Sequence, residues 1–297
     1  MTKIAHIRIP GHSQPRLALA IDGQLIDLSV AAPQLPRDLM ALIALGKPGM
    51  DAATSAAKSS SSQTRIDQAG ASWLLPVLRP GKIFCLGLNY ADHAAEGGNA
   101  KPEYPSFFMR GATSLIGHRA PLLRPIVSTK LDYEAELAVI IGKSARHLDL
   151  HNALEAVAGY SCFNDGSLRD YQRKTAQWTI GKNFDATGGF GPWFVSADEL
   201  PPGASGLKIE SRLNGQVMQS DNTRNMLFPV IETLCLITEA ITLEPGDVIV
   251  MGTPAGVGYA RKPPVWMKAG DLIEIEIEGI GTLAKTVVDE TRGGTQS

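Results

Sequence analysis

The sequence has few cysteines. Only three occur among its 297 residues, at Cys85, Cys162 and Cys235, and no two of them form a CxxC pair. This count argues against a disulfide framework and against a cysteine-rich zinc site. Each cysteine lies in an apolar run, which predicts a buried and unreactive thiol.

An excess of charge of one sign and a long apolar segment are also missing. The 28 basic and 30 acidic residues give a formal net charge of −2, and the basic residues are scattered singly. Because a nucleic-acid-binding protein usually carries a basic stripe, we expect no nucleic-acid partner. No stretch of about 18 apolar residues and no signal segment occurs, so we expect no membrane partner and a cytoplasmic location.

The composition is that of a folded protein, with 44% apolar residues, and the pattern favours an α+β fold that is mostly β. Residues 3–29 alternate apolar and polar positions, which predicts short strands with a hairpin turn at Asp22-Gly23. The low-complexity segment 51–71 predicts a surface linker. A boundary near residue 75 would then separate a small β-rich N-terminal domain, 1–75, from a larger domain, 76–297.

The larger part alternates strand-like runs with glycine-rich turns. Residues 82–88 predict a buried strand, and the Asn-Gly pair within 213–216 predicts a hairpin. Apolar residues at helical spacing predict a helix over 229–241. Asp149 is a candidate N-cap for a further helix over 150–158.

Two glutamates precede the most apolar strand of the sequence. Residues 137–141 are apolar at every position, as in a strand that is buried on both faces, and alternation places Glu134 and Glu136 on one of those faces. Two buried carboxylates on one face repel unless a cation joins them, so the pattern favours a metal site. The alternative is that the strand begins at the surface and that both glutamates are solvated.

A third carboxylate and a short polar helix follow. Asp165 ends another apolar run, and three carboxylates would suit Mg²⁺ or Mn²⁺ with positions left for water or substrate. Arg169 and Gln172 are three residues apart and share a helical face. An arginine there could bind a substrate carboxylate beside the metal, although a surface arginine is the simpler interpretation.

A histidine and a glutamate at helical spacing are candidates for general-base catalysis. One helical turn would place the Glu96 carboxylate beside the His93 imidazole, which would raise the basicity of the ring. The Gly-Gly pair and the polar segment up to residue 105 that follow suggest a mobile loop that could close over a substrate. A surface ion pair is the alternative.

Two glycine-rich loops could contact an anionic ligand. Lys182 precedes one of them and would stay charged beside carboxylates, where it could stabilise an oxyanion. Thr253 lies in the second, after a buried strand, where backbone N–H groups and the threonine hydroxyl could approach a ligand. Glycine-rich turns are common, so each loop is informative only together with the other motifs.

Taken in order, the motifs resemble those of the fumarylacetoacetate hydrolase family. The matching segments are GLNYADHAAE, LDYEAELAVIIG, FNDGSLRDYQ, GKNFD with GPW, and GDVIVMGTPAGVG, which together span roughly 82–290. The resemblance implies a mixed β-sandwich or β-roll catalytic domain, a homodimer, and a site that binds Mg²⁺, Mn²⁺ or Ca²⁺. One departure is Arg110-Gly111, where many members have Lys-Pro, and this could alter which acyl group is accepted.

Matched position by position, the resemblance implies three groups of site residues. The metal ligands would be Glu134, Glu136 and Asp165. The catalytic residues would be His93, Glu96 and Lys182, and the substrate contacts would be Arg169, Gln172 and Thr253.

The implied activity is metal-dependent hydrolysis of a C–C bond in a 2,4-dioxo acid of the acylpyruvate or fumarylpyruvate type. The partner would then be a small oxo acid, attacked by water that His93 activates with the help of Glu96. Decarboxylation of an oxo acid, or isomerisation of a 2-hydroxydienoate in aromatic catabolism, is the alternative, because each passes through a similar enolate. A non-enzymatic oxo-acid-binding protein is a third possibility, and the complete residue set argues against it.

Overall fold

A computed structural model of the chain describes residues 2–68, 70–98, 100 and 102–292. Small parts of both predicted domains, 1–75 and 76–297, of the predicted linker 51–71 and of the loop predicted up to residue 105 therefore lie outside the described residues.

Within this part of the chain the structure has nineteen strands, which are β1 (Lys3–Arg8), β2 (Arg16–Ile21), β3 (Gln24–Asp27), β4 (Arg65–Ile66), β5 (Ser72–Trp73), β6 (Ile83–Gly87), β7 (Ser106–Met109), β8 (Leu115–Ile116), β9 (Leu122–Arg124), β10 (Leu131–Asp132), β11 (Ala135–Ile141), β12 (Val157–Asp165), β13 (Ser167–Leu168), β14 (Gly188–Ser196), β15 (Lys208–Leu213), β16 (Gln216–Asn222), β17 (Val248–Val250), β18 (Leu272–Ile277) and β19 (Gly281–Asp289). The α-helices are α1 (Leu28–Ala31), α2 (Leu39–Ile43), α3 (Gly46–Lys58), α4 (Ala91–Glu96), α5 (Arg169–Gln172), α6 (Thr179–Lys182) and α7 (Val230–Ala240). Short 3-10 helices lie at Ser62–Thr64, Ala112–Ser114, Ala153–Ala156, Ala197–Glu199, Pro202–Ala204, Thr223–Asn225 and Gly258–Ala260.

The strands form one large mixed sheet, a five-stranded sheet and a two-stranded ribbon. The large sheet has the order β4-β3-β2-β1-β14-β12-β11-β17-β6-β7, with β5 beside β1 and β8 beside β14. The five-stranded sheet has the order β16-β15-β18-β19-β9, and β10 pairs with β13. The predicted mostly β fold with mixed sheets is confirmed. Strands β1–β5 join the large sheet through pairing of β1 with β14, and the boundary near residue 75 stays a prediction.

Strand β11 lies at the centre of the core, and all seven of its residues are buried. Leu137, Val139 and Ile141 pack with residues of the five-stranded sheet, whereas Ala138 and Ile140 pack on the other face with residues of α1–α3. The prediction that this strand is buried on both faces is therefore confirmed. Burial on both sides explains the unbroken apolar run, because neither face meets solvent.

Several local predictions are confirmed, and two are wrong. Hairpins turn at Asp22-Gly23 and at Asn214-Gly215, all four residues having positive φ, and α7 covers most of 229–241. The helix predicted over 150–158 is absent, because the chain makes one 3-10 turn and enters β12 at Val157.

The linker predicted over 51–71 is also wrong at its start, where the residues belong to helix α3. Gly49, Ala53 and Ala57 repeat every four residues and are buried on one side of this helix. Small side chains at that spacing let the helix pack closely, and the same alanines make the sequence resemble a low-complexity linker.

The cysteines are unpaired, and the predicted burial is confirmed for Cys85 and Cys162 but is wrong for Cys235, which is half-buried on helix α7. Burial raises the pKa of the Cys162 thiol to about 12, as an unreactive thiol requires. None of the described helices has the length and apolar character needed to cross a bilayer.

Candidate active site

Strand register brings the three predicted metal carboxylates together. Strands β11 and β12 are antiparallel, with Ala135 opposite Asn164, and the Asp165 N–H donates to the Glu134 carbonyl oxygen at 3.0 Å. The start of one strand thus lies beside the end of the other. Carboxylate oxygens of Glu134, Glu136 and Asp165 all lie within 4.8 Å of one another, and all three residues are buried. The alternative in which the glutamates are solvated is therefore wrong.

Lys182 lies against two of these carboxylates. Its ammonium nitrogen is 2.5 Å from Glu134 Oε2 and 2.6 Å from Asp165 Oδ2. Burial alone would lower the pKa of Lys182, but the two carboxylates outweigh it and raise the pKa above its ordinary value. The lysine therefore stays charged and partly offsets the repulsion within the carboxylate cluster.

Arg169 holds a second carboxylate pair. Its Nε is 2.8 Å from Asp132 Oδ2, and its Nη2 is 2.6 Å from Glu134 Oε1. Burial would raise the pKa of Glu134, yet the Arg169 and Lys182 cations more than reverse this and lower it. Nη1 of Arg169 donates to Gln172 Oε1 at 2.9 Å, so the two predicted substrate contacts do share a face. The guanidinium holds Glu134 in position, and its substrate contact stays a prediction.

Glu136 is the carboxylate of the cluster that has no cation of its own. Its Oε2 accepts a 2.6 Å hydrogen bond from the Gly252 N–H, and among the described residues no lysine, arginine or histidine forms an ion pair with it. Burial, followed by the charges of Asp165 and Glu134, raises its pKa well above the ordinary value. A divalent cation coordinated by oxygen would supply the missing charge, so the three residues fit Mg²⁺, Mn²⁺ or Ca²⁺.

Helix α4 presents the predicted base. His93 Nδ1 lies 2.9 Å from Glu96 Oε1, as the spacing of three residues predicts, and the imidazole is buried. A carboxylate acceptor makes Nδ1 the protonated nitrogen and leaves the Nε2 lone pair free for a substrate. Glu96 Oε2 also accepts the Gly256 N–H at 2.9 Å, which joins the pair to the glycine-rich loop.

That loop reaches the cluster by close backbone approach. Gly252 has φ +83°, and a Cβ there would lie 2.7 Å from the Asn89 Cβ. The Thr253 hydroxyl donates to the Ala135 carbonyl at 2.9 Å and accepts from Gln219 Nε2 at 2.7 Å. Thr253 therefore braces the loop against β11, and its contact with substrate stays a prediction.

These elements enclose a cavity of about 400 Å³, a size that suits a small ligand. Of the nine predicted site residues, Glu96 and Asp165 lie behind the wall, and the other seven line it. The lining residues are Leu86, Gly87, Leu88, His93, Gly97, Phe108, Glu134, Glu136, Arg169, Gln172, Arg173, Trp178, Lys182, Thr253 and Tyr259.

Two charged residues that support the site were missed. The Asp132 carboxylate accepts three hydrogen bonds. The donors are Arg169 Nε at 2.8 Å, the Gly258 N–H at 2.8 Å and the Tyr259 N–H at 3.0 Å. The fully buried Arg110 pairs with Asp165 and also donates to the Thr187 hydroxyl at 3.1 Å. It lies behind Asp165 and is not on the cavity wall, so at this departure from the family pattern the arginine contacts a predicted metal ligand. The position of Asp132 two residues before Glu134 is the one sequence signal that could have identified Asp132 as a site residue.

A cavity lined by a buried carboxylate cluster and by a histidine paired with a glutamate has the features of an enzyme site for a small molecule. A family model described as fumarylacetoacetate (FAA) hydrolase C-terminal matches residues 82–288. The chain belongs to this family, and the predicted resemblance is confirmed.

Named relatives differ in their activities. The mitochondrial oxaloacetate tautomerase Fahd2a of Rattus norvegicus is 35% identical over 289 residues, which cover 96% of this chain and 91% of that protein. The fumarylacetoacetate hydrolase structure from Exiguobacterium antarcticum gives a TM-score of 0.83 at 34% identity, covering 98% of this chain and all of that one. The maleylpyruvate hydrolase of Sphingobium sp. SYK-6, solved with manganese(II) and pyruvate, gives 0.79 at 27% identity, covering 97% and 100%.

Proposed function

We propose that this protein catalyses the metal-dependent keto–enol tautomerisation of a small 2-oxo acid, with oxaloacetate as the first substrate to test. The observation that carries the proposal is the His93–Glu96 pair, whose imidazole faces the same cavity as the carboxylate cluster. Tautomerisation needs one base and one site that stabilises an enolate, and the His93–Glu96 pair and the carboxylate cluster with its divalent ion would supply them. Similarity to a named oxaloacetate tautomerase over 96% of the chain supports this choice over hydrolysis.

Glu134, Glu136 and Asp165 would hold the divalent ion. When bound, such an ion supplies Lewis-acid polarisation of a substrate oxygen. The manganese-containing relative supports the choice of Mn²⁺ or Mg²⁺ for the first assays.

The protein side chains would move one proton between carbon and oxygen. His93 Nε2 takes a proton from C3 of the keto form, and the C–H electron pair becomes the C2–C3 double bond while the carbonyl oxygen gains negative charge. Lys182 is a fixed cation that can stabilise this charge, because its ammonium stays protonated between two carboxylates. The proton that His93 took from C3 is then transferred to the oxygen, directly or through water, which completes the enol and regenerates the base. The reverse sequence regenerates the ketone.

Hydrolysis of a 2,4-dioxo acid is the second candidate, and the similarity to maleylpyruvate hydrolase favours it. The same imidazole would then take its proton from water, which attacks the distal carbonyl. The decarboxylase and isomerase alternatives stay predictions.

Parallel assays separate these activities. Metal-stripped protein is loaded with Mg²⁺ or Mn²⁺ and given oxaloacetate, whose enol is followed by its ultraviolet absorbance, and acetylpyruvate, from which pyruvate release is measured. His93→Gln should lower the tautomerase rate about 100-fold or more, the usual contribution of a general base. His151→Gln changes an exposed histidine and is the control. If the wild type releases pyruvate from acetylpyruvate but does not accelerate the enol conversion of oxaloacetate, the tautomerase proposal is wrong and the hydrolase proposal is supported.

The metal site has a separate test. Glu136→Gln should abolish the rise in melting temperature that Mn²⁺ gives the wild type, whereas Glu274→Gln, on a partly exposed strand position, should retain it. An equal rise in both variants would rule out Glu136 as a ligand.

A further inference from the structure

Arg173 is a cavity-lining cation that no sequence motif singled out. It follows α5 directly, four residues after Arg169, and its side chain is exposed. Its guanidinium carbon lies 4.5 Å from the centre of the Tyr259 ring, and the guanidinium carbon of Arg169 lies 4.5 Å from the same centre. Tyr259 therefore contacts one buried and one exposed guanidinium.

The other cations of the cavity wall are already paired. Lys182 binds Glu134 and Asp165, and Arg169 binds Glu134 and Asp132. The imidazole of His93, which is the proposed base and not a cation in this role, lies against Glu96. In contrast, within residues 2–68, 70–98, 100 and 102–292, no carboxylate forms an ion pair with Arg173. The cavity thus carries a positive charge at its exposed rim that no described carboxylate neutralises.

The position of Tyr259, on whose ring the Arg173 guanidinium stacks, limits where the positive charge of Arg173 can lie. The Tyr259 N–H donates to Asp132 Oδ2 at 3.0 Å, and the same carboxylate oxygen accepts from Arg169 Nε at 2.8 Å. Asp132 thereby ties the backbone of Tyr259 to the buried side of the site. A guanidinium that stacks on the ring of this residue, whose backbone is held in place, has less freedom to lose when it binds an anion.

We infer that Arg173, stacked on Tyr259, binds the second carboxylate of a dicarboxylic 2-oxo acid. The inference rests on the proposed function, and it narrows the substrate class from 2-oxo acids in general to short dicarboxylates. The 2-oxo acid end would lie at the buried carboxylate cluster, and the distal carboxylate would reach the rim. A planar guanidinium suits this task, since it can donate two parallel hydrogen bonds to one carboxylate.

The test compares oxaloacetate with its 4-methyl ester, in which a methyl group removes the distal charge. With Mn²⁺-loaded protein, Arg173→Gln should raise KM for oxaloacetate about tenfold or more, the range expected for a lost charge-assisted hydrogen bond, with little change in kcat. The increase in KM that Arg173→Gln causes should be about tenfold greater for oxaloacetate than for the ester. Arg173→Lys should recover part of it. Lys174→Gln, which removes the neighbouring exposed cation that contacts Tyr171, is the matched control.

Calorimetric binding of the same two compounds separates this inference from the proposed function. If the wild type converts neither compound but binds oxaloacetate at least tenfold more tightly than the ester, and Arg173→Gln removes that preference, the carboxylate site stands and the tautomerase fails. Equal binding of both compounds by the wild type overturns the carboxylate site whatever the turnover. An Arg173→Gln effect of equal size on both compounds also overturns it, because a merely structural role would produce that result.

Discussion

Two buried lysines should respond in opposite directions to the same substitution. The side chain of Lys182 is 3% exposed and has two carboxylate oxygens within 2.6 Å. Lys285 is 1% exposed, and its one hydrogen-bond partner in the described structure is the Ile116 carbonyl oxygen at 3.2 Å. Burial lowers the pKa of Lys285 well below its ordinary value. Methionine is unbranched like lysine, one heavy atom shorter and uncharged, so the substitution mainly removes the electrostatic contribution.

In metal-free protein we expect Lys182→Met to lower stability by about 3 kcal/mol. The variant loses two charge-assisted hydrogen bonds, of about 1.5–3 kcal/mol each, but Arg169 and Arg110 still neutralise Glu134 and Asp165 in part. At about 2–4 °C per kcal/mol, the melting temperature should fall by about 6 °C or more. Mn²⁺ should restore more stability to this variant than to the wild type, because a metal ion would replace the lost positive charge.

Lys285→Met should instead raise the melting temperature at pH 7, by about 2 °C or more, and should not change the response to Mn²⁺. A lysine whose folded pKa is lowered destabilises the fold below its unfolded pKa of about 10.4, so the gain should shrink as the pH rises toward that value. Thermal melts with EDTA and with Mn²⁺, at pH 7 and at pH 9.5, measure all of these effects. A stabilising Lys182→Met in EDTA, or shifts of the same sign in both variants, would refute the charge assignment.

Three further predictions concern buried polar groups. Burial, aided by Lys285, lowers the pKa of His118 to about 3. The free energy of unfolding should therefore fall as the pH drops from about 6.5 toward 3. In urea titrations, His118→Asn should lose less of this free energy than the wild type between pH 6.5 and 5. Asn89 makes three hydrogen bonds, of 2.7–3.1 Å, to backbone groups of Phe228 and Met251, so Asn89→Ala should cost about 3 kcal/mol in the same titrations. Arg110→Met should destabilise metal-free protein by about 3 kcal/mol or more in thermal melts, and Arg110→Lys by less.

Each of these has an outcome that contradicts it. Parallel pH dependence of His118→Asn and the wild type would mean that the imidazole does not titrate on unfolding. A loss below about 1 kcal/mol for Asn89→Ala would mean that water replaces its contacts. Equal stability of the two Arg110 variants would show that its charge is not needed beside Asp165.

The residues that could be predicted from the sequence are those whose neighbours along the chain carry the signal. Glu134 and Glu136 stand out because a polar pair precedes an unbroken apolar run, and the i, i+3 spacing of His93 and Glu96 gives their contact directly. Asn214-Gly215 gives its hairpin by local backbone preference alone.

The rest depends on contacts between distant segments. Arg110 and Asp165 are 55 residues apart, and Arg169 and Asp132 are 37 apart, so nothing near either partner announces the pair. The failed helix over 150–158 has the same origin. Asp149 does accept from the His151 and Asn152 N–H groups, as an N-cap would, but pairing of β12 with β11 takes the chain from Val157 onward.

The charges of the cavity, considered together, connect the two proposals. Most of the acidic and basic side chains of the cavity are satisfied within the protein by short ion pairs. Two that line it are not: the buried Glu136 carboxylate, which has no cation, and the exposed Arg173 guanidinium, which has no carboxylate in the part of the chain that the structure describes. A cation bound at the buried end would pair with Glu136, and an anion bound at the rim would pair with Arg173. A dicarboxylate held by a divalent ion at one end carries that pattern, whereas a monocarboxylate would leave Arg173 unpaired. Tautomerase activity with a preference for dicarboxylates would therefore follow from one distribution of charge.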